Sequence, residues 1–348
     1  MAEGKGLNWF EKLLPVWIGL CMLTGIILSK NIKGLGEFLA KIEVAGVNVL
    51  IGICLFVMMY PALLSLELSE LKKVLVKPLP LIVTVISNWV FAPAVAAFLS
   101  NIFLKGHPSL ITAVILLGSS PCTAMVVVWG SMSEANQEQN IVNTSLNTVM
   151  IILFYAPLVK LLTGMQNVGI DFVSLLVSVG VFILVPLIVG LISKYYIRKL
   201  KSDEWFNDSF KPILSKVSAF ALMITLVLLF SMNGQTLLNN PKELYLVSIP
   251  LLVGYLIVVS INLFVTKILG FGYKEAATTI IIGSSSHFEI AIATAIGIAG
   301  VNSKEALGTT MGLFWEIPTM LSLVYFLKYL KQKGFFKDEK ESSEIENA

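Results

Sequence analysis

Charge is what this chain has least of. Only 14% of its 348 residues are Asp, Glu, Lys or Arg, while 56% are hydrophobic. Soluble domains carry roughly 25% charged residues, so an ordinary soluble fold is excluded. Cysteine is also scarce: Cys21, Cys54 and Cys122 all sit within apolar runs. None has the short spacing of zinc ligands, and none lies in a loop where a disulfide framework would form. Two histidines, His107 and His287, are too few for a catalytic metal centre. No Gly-x-x-x-x-Gly-Lys phosphate loop occurs, so direct use of ATP is not expected. No polar stretch is long enough for a sizeable soluble domain, which argues against a membrane sensor. No clear small-x-small cleavage site follows the first apolar run, so it reads as a retained span and not a cleaved signal. The chain is expected to be no enzyme, to carry no cofactor and to bind no nucleic acid.

What the chain does have is apolar length. Crossing the hydrocarbon core takes about 20 apolar residues, and ten such stretches are read at 13–29, 44–64, 78–99, 109–132, 139–163, 172–194, 213–232, 244–268, 274–299 and 304–327. The predicted class is an all-α polytopic membrane protein. With the N-terminus inside, the outer loops hold seven of the 25 Lys and Arg: Lys30, Lys33, Lys41, Lys105, Lys160, Lys242 and Lys304. The other 18 fall on inner segments, a bias that places both termini in the cytoplasm. Helices 1–6 occupy 1–194, an amphipathic cytoplasmic linker 195–212, helices 7–10 residues 213–330, and a charged, disordered tail 331–348.

Two spans are interrupted in the same way. Gly118-Ser119-Ser120-Pro121-Cys122 breaks the fourth, and Gly283-Ser284-Ser285-Ser286-His287-Phe288-Glu289 breaks the ninth. Open backbone is tolerated at membrane depth only where protein buries it or it lines a cavity. Pro157 in the fifth span likewise lies near the place of Pro318 in the tenth. The pattern is that of a duplication, and because five is odd the second half must insert inverted. Such repeats hold substrate near the midplane, at discontinuous helices.

The breaks also hold the reactive side chains. Cys122 offers a sulfur with affinity for soft metals and metalloids, beside the hydroxyls of Ser119, Ser120 and Thr123. The plainer reading is a packed thiol in a kinked helix. Glu289 is an intramembrane carboxylate, functional by default, or else a cap on the second half of its broken helix. His287 can share its proton, Ser286 adds a hydroxyl, and Glu316 in the last span can pair with His287 or Glu289 or satisfy backbone carbonyls through a protonated oxygen. Of the span asparagines Asn88, Asn143, Asn147, Asn233 and Asn262, most are expected to bond between helices, and Asn88 and Asn147 are chosen as cavity lining. Met58-Met59 reads as packing.

These motifs are familiar in combination. Pro121-Cys122-Thr123-Ala124-Met125-Val126-Val127-Val128-Trp129 resembles the fourth-helix motif of the Acr3-type arsenite efflux permeases, and Ser286-His287-Phe288-Glu289-Ile290-Ala291 their ninth-helix motif. Glu316-Ile317-Pro318, Leu153-Phe154-Tyr155-Ala156-Pro157 and Met58-Met59-Tyr60-Pro61 also fit, so the likeness runs from about 12 to 330. The resemblance implies ten helices in a panel domain and a core domain, with helices 4 and 9 crossed. It implies export of arsenite, with antimonite as a second substrate, across the cytoplasmic membrane. It carries metalloid recognition onto Cys122, the only metal contact being transported arsenic, and the ninth-helix carboxylate role onto Glu289. The chain departs from the family at Ser286-His287, where an Asn pair is usual. That leaves proton or membrane potential, or sodium, as the coupling force. A sodium-coupled symporter of organic anions is the alternative, and the oligomeric state is open.

Overall fold

The computed structural model describes residues 13–32, 34–44, 47–64, 78–123, 125–239 and 241–336. Apart from one two-residue hairpin, Glu43–Val44 against Val47–Asn48, its regular structure is helical. In chain order the helices are α1 (Leu14–Asn31), the short α2 (Leu35–Ala40), α3 (Val49–Leu64), α4 (Pro78–Phe103), α5 (Pro108–Gly118), α6 (Met125–Met132), α7 (Gln137–Met165) and α8 (Phe172–Leu200). There follow α9, built from Asp203–Trp205, Phe206–Phe210 and Lys211–Asn239, then α10 (Pro241–Ile268), α11 (Tyr273–Ser284), α12 (Phe288–Ala299) and α13 (Lys304–Gln332). Among the described residues six helices are long and apolar enough to cross a membrane: α4, α7, α8, α9, α10 and α13. Shorter apolar helices lie in α1, α3, α5 and α12. Large apolar side chains point outward along them, among them Leu23, Ile27, Ile188, Leu256 and Phe264. These are the features of a multi-pass membrane protein, whose outer surface meets lipid.

Helix ends follow local chemistry. The Asn136 carboxamide accepts from Gln139 N–H to start α7, and the Ser303 hydroxyl accepts from Ala306 N–H to start α13. Each supplies an acceptor for a helix N–H that has no intrahelical partner. Each of these helices carries an internal proline, Pro157 and Pro318. In α4 the backbone widens to a π-turn at Ser87–Phe91, a device that re-aims side chains and is frequent at functional sites.

Packing divides the helices. α9 lies against α1 and α3, and α3 also packs on α8. α4 lies against α5 and α10, α10 against α11, α13 against α5 and α12. The buried core runs continuously through both groups.

Three expected segments differ from the structure. The second span begins at Val49, because Glu43–Val44 and Val47–Asn48 pair as the hairpin strands. The expected linker at 195–212 is helical except for the turn at Lys201 and Ser202: α8 runs to Leu200, and the Ser202 hydroxyl caps the next helix. The tail is ordered further than its charge suggested. Phe336 is buried with its ring 5.9 Å from that of Tyr273, and Lys267 bonds to the carbonyl of Phe335. Residues 337–348, the N-terminal amphipathic stretch and the side chain of Asn233 lie outside the described residues.

Candidate functional site

The two breaks touch. Between α5 and α6, and between α11 and α12, the backbone opens, and Pro121 pairs with Ser286 as an antiparallel bridge. Cys122 N–H donates to the Ser285 carbonyl (3.3 Å), and His287 N–H donates to the Ser120 carbonyl (2.7 Å). The Ser120 hydroxyl adds bonds to the carbonyls of Leu117 (3.0 Å) and His287 (3.3 Å). Each break thus satisfies the polar backbone that the other exposes, which lipid could not do. Proline suits this position because it has no N–H to strand.

Glycine permits the approach. A Cβ on Gly118 would lie 2.3 Å from the Ala96 methyl, and one on Gly283 2.7 Å from the Ser87 hydroxyl. With no side chain at either glycine, α4 packs against the ends of α5 and α11. The Ser87 hydroxyl donates to the Gly283 carbonyl (2.9 Å), and Asn262 donates to Ser87 (2.8 Å) and Ser284 (3.4 Å). The expectation that Asn262 bonds between helices holds.

Glu316, buried at 2% exposure in α13, gathers the second break. One carboxylate oxygen accepts from the Ser285 hydroxyl (2.6 Å) and the Ser286 N–H (3.1 Å), the other from the Ser286 hydroxyl (2.7 Å) and Tyr255 (3.3 Å). Four donors thus converge on one buried carboxyl group, so the polar groups that the break exposes are satisfied. Glu316 was expected to pair with His287 or Glu289 or to satisfy backbone carbonyls through a protonated oxygen; instead it accepts from a backbone N–H and three hydroxyls, because the second break presents donors to it. His287 and Glu289 meet each other, with Nδ1 of His287 2.8 Å from a carboxylate oxygen of Glu289. The approach is close but lacks the geometry of a directed hydrogen bond, and both imidazole nitrogens are without a hydrogen-bond partner. Glu289 occupies the first turn of α12, where helix N–H groups favour a carboxylate.

Other expected residues fall nearby. Cys122 is 2% exposed and outside any disulfide, and Thr123 is buried beside it. Ser119 is fully buried with an unpartnered hydroxyl. Asn147 accepts from the Trp89 indole (3.3 Å), while its own N–H groups find no partner. Met58 and Met59 are core, with Thr225 donating to the Met58 sulfur. Among the described residues no cluster of three or more His, Cys, Asp or Glu side chains is arranged for a metal ion.

A cavity of about 70 Å³ lies beside the crossing. Its polar lining is Asn88, Ser120, Ser284, Ser285, Ser286 and Tyr255, and the rest is aliphatic, glycine or proline. Asn88 lines it; Cys122 and Asn147 do not. Tyr255 was missed. The available signal was a tyrosine deep inside an apolar span, away from the interfacial levels where tyrosines collect.

Comparison with known proteins agrees with these features. The model of the family described as "Sodium Bile acid symporter family" matches residues 52–240. An uncharacterised transporter of Synechocystis sp. is 36% identical over 347 residues, 94% of this chain and 91% of its own. Arsenical-resistance proteins Acr3 are also similar. That of Corynebacterium glutamicum is 33% identical over 97% of this chain and 94% of its own, and that of Alkaliphilus metalliredigens 30% identical over 92% and 93%. Matched by the family model over more than half its length and by transporter relatives over nearly all of it, the chain belongs to the sodium bile acid symporter family.

Proposed function

We propose that this protein exports arsenite across the cytoplasmic membrane, with antimonite as a second substrate, driven by the proton gradient or the membrane potential. One observation carries the reading: the Cys122 motif, which resembles that of the Acr3-type permeases, sits in the hydrogen-bonded crossing of a chain 30–33% identical to arsenical-resistance proteins. Arsenous acid is neutral and polyhydroxylated. A single thiol with hydroxyls and amides from Ser119, Ser120, Thr123, Asn88 and Asn147 holds it weakly enough to release, which transport requires. Three convergent thiolates would not. The thiol is enclosed in the described state, so turnover requires the crossing to open it to each side in turn. Glu289 and His287 carry the coupling proton, with Ser286 and Glu316 holding the break in register. A cavity of about 70 Å³ suits a small solute, against roughly 300–1,000 Å³ for drug-sized ligands. That favours the metalloid over the organic anion.

The architecture we infer is ten spans in two inverted five-helix repeats. α1, α3, α8 and α9 form the panel and the remaining long helices the core. Support comes from matching contacts: α1 on α9 corresponds to α8 on α3, and α4 on α5 to α10 on α11. The two 29-residue helices α7 and α13, each capped and proline-bearing after its break, correspond likewise. Lys328 and Lys331 meet Glu134, and Lys267 meets Phe335, gathering basic helix ends on one face. We assign that face to the cytoplasm.

Flux in proteoliposomes under imposed proton, sodium and voltage gradients tests the proposal. Arsenite should move, respond to proton gradient or voltage, and fall severely in Cys122→Ser, with Cys21→Ser and Cys54→Ser mild. Glu289→Gln should impair gradient-driven flux more than binding. Sodium-stimulated movement of an organic acid, with no arsenite flux, would overturn it.

A further inference from the structure

The thiol and the cavity are neighbouring features of the crossing that share Ser120 and Asn88. Cys122 does not line the cavity, and no side chain that does is charged. We propose that this cavity is a second station, binding small neutral polyhydroxy acids by hydrogen bonds alone, with no contribution from sulfur. The inference deepens the transport reading, on which its physiological role rests, but the site stands on its own geometry.

The lining supplies what such a solute needs. Asn88 lines the cavity at 2% exposure, and its side-chain N–H groups are buried without a partner, so a turn of the carboxamide would present them to an occupant. A buried unmet donor costs about 1–3 kcal/mol, so an occupant that accepts from it is favoured. The hydroxyls opposite are already committed as donors. Ser285 and Ser286 donate to Glu316, and Ser120 donates to carbonyls. Their hydrogens point away, which leaves oxygen lone pairs to accept. A ligand that offers O–H donors to the serines and an oxygen acceptor to Asn88 completes the wall.

Charge selects further. No Lys or Arg lines the cavity to neutralise an anion, and the Glu316 carboxylate stands behind the serine hydroxyls. That carboxylate has four donors already, at 2.6 to 3.3 Å, so a cation would have to displace them. A neutral solute needs neither change. The volume also fits: one water takes about 10–15 Å³ of such space, so about 70 Å³ holds a few waters or one small triol-like acid. The aliphatic remainder of the wall, including Val95 and Leu117, gives an excluded anion no compensating polar contact.

Boric acid is the probe, because it is neutral, carries three hydroxyls and has no affinity for thiols. Binding to the purified full-length protein is read by boron NMR line broadening or equilibrium dialysis. Saturable binding that weakens about tenfold or more in Asn88→Leu and in the cavity-filling Val95→Phe supports the proposal. So does binding retained in Cys122→Ser, where arsenite flux is expected to fail. Should the cavity variants misfold, competition of boric acid against arsenite flux in wild-type proteoliposomes decides the matter, and no competition counts against the site. Absence of saturable boric acid binding to folded wild type overturns it. Binding abolished by Cys122→Ser overturns it too, since the probe would then sit at the thiol. Sodium displacing boric acid competitively would make the cavity a cation site and overturn it as well. Wild type that binds boric acid but moves no arsenite supports this station while defeating the arsenite reading alone.

Discussion

The break after Gly118 and the break after Gly283 begin with the same three residues, yet they are held by different forces. The first is uncharged. Its polar backbone rests on the partner break, its glycine packs against the Ala96 methyl, and its Ser119 hydroxyl has no partner at all. The second is held from three further helices: Ser87 of α4, Asn262 and Tyr255 of α10, and Glu316 of α13. Two breaks alike in sequence thus form one loosely held wall that carries sulfur and one tightly held wall that carries carboxyl groups. A site that must bind and release benefits from this asymmetry, because one wall can adjust while the other keeps register.

The largest expected effect lies on the tight wall. Glu316→Leu removes the acceptor of three hydroxyls and one backbone N–H. The hydroxyls can turn elsewhere, but the Ser286 N–H cannot, and unmet buried donors cost about 1–3 kcal/mol each. We expect a loss of about 3 kcal/mol or more, read as a large drop in thermal unfolding midpoint in detergent, with Glu316→Gln intermediate. If Glu316→Leu is as stable as wild type, the second break is not held by this carboxylate and the contrast fails.

Next come the glycines. Gly118→Ala sets a methyl 2.3 Å from the Ala96 Cβ, which is fixed to its helix and cannot rotate away. Gly283→Ala meets the Ser87 hydroxyl at 2.7 Å and its Cβ at 2.9 Å, where the hydroxyl at least can swing. Overpacking costs about 1–3 kcal/mol, with Gly118→Ala at the upper end. Ala96→Gly should restore stability to Gly118→Ala and leave Gly283→Ala unchanged. Equal rescue of both would mean that the two breaks share one packing constraint.

The smallest effect is at the helix ends, outside the membrane. Glu134, in the turn after α6, pairs with Lys331 at 2.6 Å and Lys328 at 3.4 Å. Its hydrogen bond to Lys331 holds its carboxyl below the ordinary range, burial opposing slightly. Because the folded-state value is depressed, the stabilisation is present above the ordinary carboxylate value and is lost as pH falls through the folded one. The Glu134 side chain is 52% exposed, and such pairs contribute about 0–1 kcal/mol. Glu134→Gln should therefore shift the unfolding midpoint by a degree or two at most, and high salt should erase the difference.

Much of this site was readable in one dimension. Both breaks, Cys122, Glu289 and Glu316 stand out because polar residues inside apolar spans are costly and rarely idle. The positions of the long helices follow from apolar length. The hairpin before α3 was not readable, because Val47 and Asn48 run straight into an apolar stretch. Nor were the contacts of Ser87 with Gly283 or of Tyr255 with Glu316, which join residues 196 and 61 positions apart. Asn147 shows the limit from the other side: its type and place suggested cavity lining, yet it faces the Trp89 indole.

By itself the sequence determined that this chain lives in lipid, where its helices break and which reactive groups sit there. Each of those follows from the cost of polar atoms in hydrocarbon, a cost paid residue by residue. Only the tertiary structure decided which group answers which. The antiparallel bridge of Pro121 with Ser286, the capture of the second break by Glu316 and the unmet amide of Asn88 at a small neutral cavity depend on where five helices meet. Hydrogen bonds are short and directional, and periodicity along one chain carries no information about the partner across the bundle.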